Sequence, residues 1–298
     1  MSRIFEALQR AHLERSAPAH SHEAELVEDF TSQPLSEFGR STLFGDFNHI
    51  TSRPWKPIQA CLPALEEYGE TVEQFRRLRT KLTLLRSGLE MKTIVVSSGM
   101  PSEGKTFVTS NLAISLARHN DSRVLLIDGD LRRPTVHTHL GTPLSPGLAE
   151  FFAGSADSHA IMQRCGSTAS EGNPLASLLS KLAFIPAGNS EENLSTGINS
   201  NRFRELITSI SPLFDWILID TPPVLAVSDA VDLAQSADAV LLVARAGVTP
   251  YDVAQHAKTA FSNSRLLGFV LNEARTSSLG RPYHQYYADK PQKDSNKG

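Results

Sequence analysis

The chain reads as a doubly wound, mostly parallel α/β sheet. Two observations predict it. Short runs dominated by Ile, Val and Leu recur at 93–97, 123–127, 182–186, 215–219, 239–244 and 266–271. Continuous apolar runs suit strands covered on both faces, as parallel strands are. Helical apolar patterns fall between them, at 106–119, around 200–212, at 228–236 and at 250–263.

Taken in order, residues 3–15 carry Ile4, Phe5, Leu8 and Ala11 on one side of a short helix, either a frayed terminus or a docking helix. Residues 16–64 are rich in Ser, Pro, His and acidic residues and read as a mostly irregular linker. A helix follows over 65–87, where Leu65, Tyr68, Val72, Phe75, Leu78, Leu82 and Leu85 recur at steps of three and four. Glu73, Arg76 and Arg79 lie on its flank at a spacing that pairs charges along the helix or across to another subunit. In the last helix Thr249 is placed as N-cap, with Pro250 in the first turn and Asp252 at the third position. Residues 155–180 read as a loop excursion. These boundaries divide the chain into an extension (1–64), a core domain (65–275) and a tail (276–298).

Composition excludes several classes. With 298 residues, 40% hydrophobic and 20% charged, the chain has the balance of a globular protein. A net charge of −3 gives no electrostatic reason to expect nucleic acid. No apolar run approaches the ~20 residues of a membrane span, and the opening Met-Ser-Arg-Ile-Phe-Glu-Ala-Leu lacks the apolar centre of a secretory signal. Cys61 and Cys165 are too few and too distant to suggest a disulfide framework. A cytoplasmic protein is expected, one that a partner must hold if it works at a membrane.

The chemistry concentrates at strand ends. The first run leads into Gly99-Met100-Pro101-Ser102-Glu103-Gly104-Lys105-Thr106, and a helix opens at once with Phe107. Glycines between a strand and a helix N-terminus let backbone N–H groups cradle phosphates. Lys105 can then reach the β- and γ-phosphates, and the Thr106 hydroxyl can bind Mg²⁺, which prefers oxygen ligands. The second run ends Asp128-Gly129-Asp130 and the fourth ends Asp220. Carboxylates at the C-terminal ends of parallel strands face the crevice where such sheets take ligands. Phosphoryl transfer requires the phosphates gripped, the metal oriented and the nucleophile placed. Asp220 fits the metal, Asp128 fits the base, and Asp130 fits either task. Asn272 ends the last strand, where a carboxamide either reads an adenine edge or forms a turn. His137 and His139 have ligand chemistry but no third partner, and read as ordinary surface histidines. The tail is polar and expected to be mobile, yet it carries Tyr283, Tyr286 and Tyr287, three of the chain's five tyrosines.

Together the phosphate loop, the Asp128-x-Asp130-x-Arg132 strand end and Ile219-Asp220-Thr221-Pro222-Pro223 resemble the bacterial tyrosine kinases of polysaccharide export. The resemblance covers about residues 65–275. It includes Glu73, Arg76 and Arg79, which match that family's oligomerisation helix, and Asp-Leu-Arg-Arg-Pro at 130–134. It implies a phosphate-loop NTPase fold of the deviant Walker, MinD-like group. It also implies Mg-ATP-dependent autophosphorylation on Tyr283, Tyr286 and Tyr287, and a ring-shaped homo-oligomer. Activation by a transmembrane chain-length regulator, a cognate tyrosine phosphatase, a position peripheral to the inner membrane and control of exopolysaccharide follow from the same resemblance. Two other readings stand beside it: a partition- or division-site ATPase, whose loops carry an early lysine where this chain has Gly99-Met100-Pro101, and a non-catalytic subunit whose ATP binding sets assembly.

Overall fold

The computed structural model describes residues 47–166, 179–189 and 198–274. Its strands are β1 (Thr51–Arg53), β2 (Thr93–Ser98), β3 (Val124–Asp128), β4 (Gln163–Cys165), β5 (Leu182–Ile185), β6 (Trp216–Asp220), β7 (Ala239–Arg245) and β8 (Leu266–Asn272). The helices are α1 (Glu70–Ser87), α2 (Lys105–Ala117), α3 (Val136–Leu140), α4 (Leu148–Ala153), α5 (Ser200–Ile210), α6 (Asp229–Ala234) and α7 (Tyr251–Ala260). They form one eight-stranded sheet in the order β1-β4-β5-β3-β6-β2-β7-β8. Every neighbouring pair is parallel except β4–β5.

Because side chains alternate along a strand, the unbroken apolar runs divide between two cores. Ile94, Val96, Val124, Leu126, Leu218, Leu241 and Val243 pack with Leu82 of α1 and Val108, Leu112 and Leu116 of α2. Val95, Leu125, Ile127, Ile217, Ile219, Val240 and Leu242 pack on the other face with Phe203 of α5, Leu233 of α6 and Ala257 of α7. All of these strand residues are at most 3% exposed. This is the doubly wound sheet expected from the sequence. From β2 the chain crosses over β6 to β3, and from β6 it returns over β2 to β7. The crevice therefore opens at the C-terminal ends of β2, β3 and β6, where Asp128 and Asp220 stand side by side in register.

The predicted strands all form. β1 and β4 were not anticipated: each has three residues at the sheet's far edge, too few to show a period. The predicted helix over 65–87 starts five residues late. Gly69 has φ 146°, outside helical space, so Leu65 belongs to a 3₁₀ turn and Tyr68 is 75% exposed. Thr249 does not cap α7: Pro250 holds that position, and the Thr249 hydroxyl is used elsewhere. The stretch assigned to the linker is structured from Phe47 onward. Trp55 meets Phe184 edge-on at 6.3 Å, and Leu62 is fully buried. Asn111 of α2 stitches this strap down, accepting from Ala64 N at 2.9 Å and donating to Cys61 O at 3.0 Å. Among the described residues no helix is long and apolar enough to cross a membrane. The short helix expected at 3–15 and the tyrosines of the tail lie outside the described residues.

Candidate active site

The loop from Gly99 to Gly104 joins β2 to α2, and its course is fixed by close approaches. A Cβ on Gly99 would come within 2.8 Å of Val253 Cγ1 on α7. Gly104 has φ 88°, and a Cβ there would fall on the Asn272 amide. Lys105 and Thr106 therefore start α2 at the mouth of the crevice, facing the carboxylates of β3 and β6.

Lys105 Nζ lies 3.0 Å from Asp130 Oδ2 and 3.6 Å from Asp220 Oδ2. The Thr106 hydroxyl donates to Asp220 Oδ2 at 2.6 Å, and the Thr109 hydroxyl, one turn on, shares its proton between Lys105 O at 2.7 Å and Asp220 Oδ1 at 3.2 Å. Asp128 is fully buried and held by backbone donors: Asp130 N at 3.2 Å on one oxygen, Thr135 N and Val136 N at 3.1 Å on the other. Asp130 Oδ1 accepts from Arg133 N at 3.0 Å, which leaves its other oxygen to Lys105. Lys105, Thr106, Asp128, Asp130 and Asp220, predicted from three separate stretches, thus gather at one point.

The electrostatics follow from burial. Burial works against the Lys105 charge, but Asp220 and Asp130 outweigh it and hold the ammonium above its ordinary pKa. Burial pushes the Asp128 carboxyl up to about 8, with the Asp220 charge adding to it and the Val136 N–H and Lys105 opposing. Burial also raises Asp220, against the pull of Lys105 and the Thr106 hydroxyl. Two carboxyl groups, Asp130 and Asp220, share the one ammonium, and a third, Asp128, lies beside them. The Thr106 and Asp220 oxygens form the hard donor set that Mg²⁺ prefers. A divalent cation fits there, as does a phosphate chain at the loop and Lys105.

Other predicted positions stand further out. Asn272 is at the loop, but its Nδ2 donates to Glu103 O at 3.1 Å. On α1, Glu73 and Arg76 form an ion pair, Arg76 also donates to Glu67 O at 2.9 Å, and Arg79 donates to Ser115 O at 3.1 Å. Both arginines therefore make bonds within their own chain. Phe107 is partly buried and meets Phe75 at 5.8 Å, which joins α1 to α2 rather than to the site. The Nδ1 atoms of His137 and His139 are buried without partners, and burial lowers both pKa values. Among the described residues no cluster of three or more His, Cys, Asp or Glu could hold a metal. Thr109 was missed by sequence reading, although its position four residues after Lys105 placed it on the same helix face.

Comparison with known proteins points the same way. A family described as AAA domain matches residues 91–251. Tyrosine-protein kinase ptk of Acinetobacter johnsonii is 33% identical over 70% of this chain, which spans only 27% of that longer protein. Tyrosine-protein kinase YwqD of Bacillus subtilis is 32% identical over 73% of this chain and 86% of its own length. Among solved structures, the kinase domain of the Escherichia coli tyrosine kinase ETK superimposes with a TM-score of 0.58 and 31% identity, covering 69% of this chain and 78% of that one.

Proposed function

Because the chain belongs to the bacterial tyrosine-protein kinase family, we propose that it is an ATP-dependent autokinase acting on its own C-terminal tyrosines. The observation that carries this is the meeting of Lys105, Thr106, Asp128, Asp130 and Asp220 at the end of the phosphate loop.

Bound Mg-ATP would supply the transferable phosphoryl group and the cation that neutralises its charge. The loop amides and Lys105 would hold the phosphates, with the ammonium pre-oriented by Asp130 and Asp220. The Thr106 hydroxyl and Asp220 would hold the cation, with Asp130 beside them. We assign the tyrosine proton to Asp128. Its place is beside Asp220 at the end of β3, and burial raises its affinity for a proton, whereas Asp220 is paired with Lys105 and bonded to Thr106, the cation's other holder. Asp130 is the second candidate, since one of its oxygens faces the site.

The acceptors we propose are Tyr283, Tyr286 and Tyr287, modified between subunits of a ring in which Glu73, Arg76 and Arg79 contribute to the interface. A ring raises the effective concentration of each tail at a neighbour's crevice. Activation by a transmembrane chain-length regulator, reversal by a tyrosine phosphatase and control of exopolysaccharide complete the proposal, and rest on the family resemblance. Mass spectrometry of the full chain after incubation with Mg-ATP tests it. Phosphate on the tail tyrosines, absent from Lys105→Met, is expected. An unmodified tail with ATP hydrolysis stimulated by DNA or lipid would instead identify a positioning ATPase.

A further inference from the structure

We infer that Glu103, Thr249 and Asn272 form a brace that sets the shape of the phosphate loop, with Glu103 as the positioning residue through which the other two act. The inference rests on the kinase reading of the site, because it concerns how that site is held ready for a nucleotide.

Glu103 is an unusual residue for its place. It is 2% exposed, yet it lies in the loop assigned to a polyphosphate, where a carboxylate would repel the ligand unless its charge were engaged. It is engaged on both oxygens. Oε2 accepts from Met100 N at 2.7 Å, closing the loop on itself. Oε1 accepts from the Thr249 hydroxyl. That hydroxyl in turn accepts from Arg245 N at 2.8 Å, so its one proton is directed at Glu103. The backbone carbonyl of Glu103 takes a third bond, from Asn272 Nδ2 at 3.1 Å.

The backbone on either side requires such support. Ser102 has φ 64° and Gly104 φ 88°, so left-handed residues flank Glu103. A left-handed backbone at a residue other than glycine persists only where its surroundings hold it. Here they do so from the C-terminal ends of β7 and β8: Thr249 follows β7 and Asn272 ends β8. Neither needs to touch the nucleotide to affect its binding.

The brace leaves room for an adenine-reading role of Asn272, so the two roles have to be separated by experiment. Pairing with an adenine edge uses the donor Nδ2 and the acceptor Oδ1 together. In this structure one N–H of Nδ2 goes to Glu103 O, which leaves the second N–H and Oδ1 to such a pairing.

Isothermal titration of the full-length protein with ATP, GTP and inorganic tripolyphosphate, each with Mg²⁺, separates the possibilities. Thr249→Val and Asn272→Ala should weaken ATP and tripolyphosphate by the same factor, about tenfold for one lost hydrogen bond, leaving the ATP-to-GTP ratio unchanged. Glu103→Ala should lose more, and Glu103→Gln should restore part of that loss, since its Oε1 can still accept from Met100 N while its Nε2 leaves the Thr249 proton without an acceptor. Should Glu103→Ala fail to fold, the Thr249 and Asn272 variants decide the matter. An altered ATP-to-GTP ratio in Asn272→Ala with unchanged tripolyphosphate affinity would overturn the brace in favour of base reading. Unchanged affinities in Thr249→Val would also overturn it. Wild-type protein that binds none of the three would remove the kinase reading itself, and the brace with it.

Discussion

Replacing Lys105 with Met tests the site at its most connected point. The ammonium lies between Asp130 and Asp220, in a cluster where the lysine side chain is 12% exposed and the two carboxylates 6% and 1%. Removing one partner of a buried ion pair costs about 3–5 kcal/mol, because the other charge is left uncompensated. The carboxyls can escape part of that cost by taking up protons, so the lower figure applies, about 3 kcal/mol at pH 8. For a domain of this size that lowers the melting temperature by about 6–12 °C.

The pH dependence follows from the same charges. Lys105 opposes the upward shifts of Asp128 and Asp220. Without it, their folded-state pKa values rise further above the unfolded ones, and the folded variant binds more protons than the unfolded chain. Its stability therefore falls more steeply as pH rises. The gap between wild type and variant should be widest at pH 8 and narrow toward pH 5. Thermal unfolding followed by circular dichroism at pH 5, 6.5 and 8, without nucleotide, measures it. A phosphotyrosine blot of the same samples after Mg-ATP should show labelling lost in the variant. A gap of equal size at all three pH values, or a variant more stable at pH 8, would refute the claim that this lysine compensates the carboxylates.

Asp128→Asn should abolish phosphotyrosine turnover more than ATP binding, and should flatten a pH slope in stability. A carboxyl at about 8 when folded and near 3.8 when unfolded makes the native state less stable as pH rises between those values, by at most about 1.4 kcal/mol per pH unit. Full activity in that variant would pass the base role to Asp130. Gly104→Ala should lose about 2–3 kcal/mol, from a left-handed backbone and a displaced hydrogen bond, which chemical denaturation reads directly. If stability is unchanged, the close approach of Asn272 is not as drawn. Mixing Lys105→Met with a Tyr283/Tyr286/Tyr287→Phe variant should label the Lys105→Met tail, and an unlabelled tail excludes transfer between subunits. Arg76→Ala with Arg79→Ala should give a smaller species by light scattering and slower labelling.

Much of the fold was legible because its physics is local. β2, β3, β5, β6 and β7 each carry an apolar run long enough to register as a strand buried on both faces, and β8, whose run is as apolar, lies half-buried at the sheet edge. Their alternation with helical patterns leaves few topologies. The elements that escaped are short or depend on distant partners. β1 and β4 have three residues each and exist because they extend the edge of an established sheet. The strap from Phe47 to Leu65 looks polar and proline-rich, yet its few apolar groups find a place on the sheet and Asn111 meets its backbone. The start of α1 was misplaced because the apolar period continued past Gly69, whose backbone angle the period does not register.

For the site, the sequence by itself determined which groups were present and their approximate level in the sheet. A glycine loop after one strand, and aspartates after two others, must come to the same end of a parallel sheet. Spacing alone therefore brought Lys105, Thr106, Asp128, Asp130 and Asp220 to one crevice. Tertiary structure decided what each group touches there. Asp128 and Asp130 are two residues apart and chemically alike. Full burial and three backbone donors hold the first, while the second turns one oxygen to Lys105. Glu103, Thr249 and Asn272 are far apart in the chain, and no local pattern links them. Only the packing of β7 and β8 beside β2 brings the three together, because a hydrogen bond depends on distance in space and not on separation in sequence.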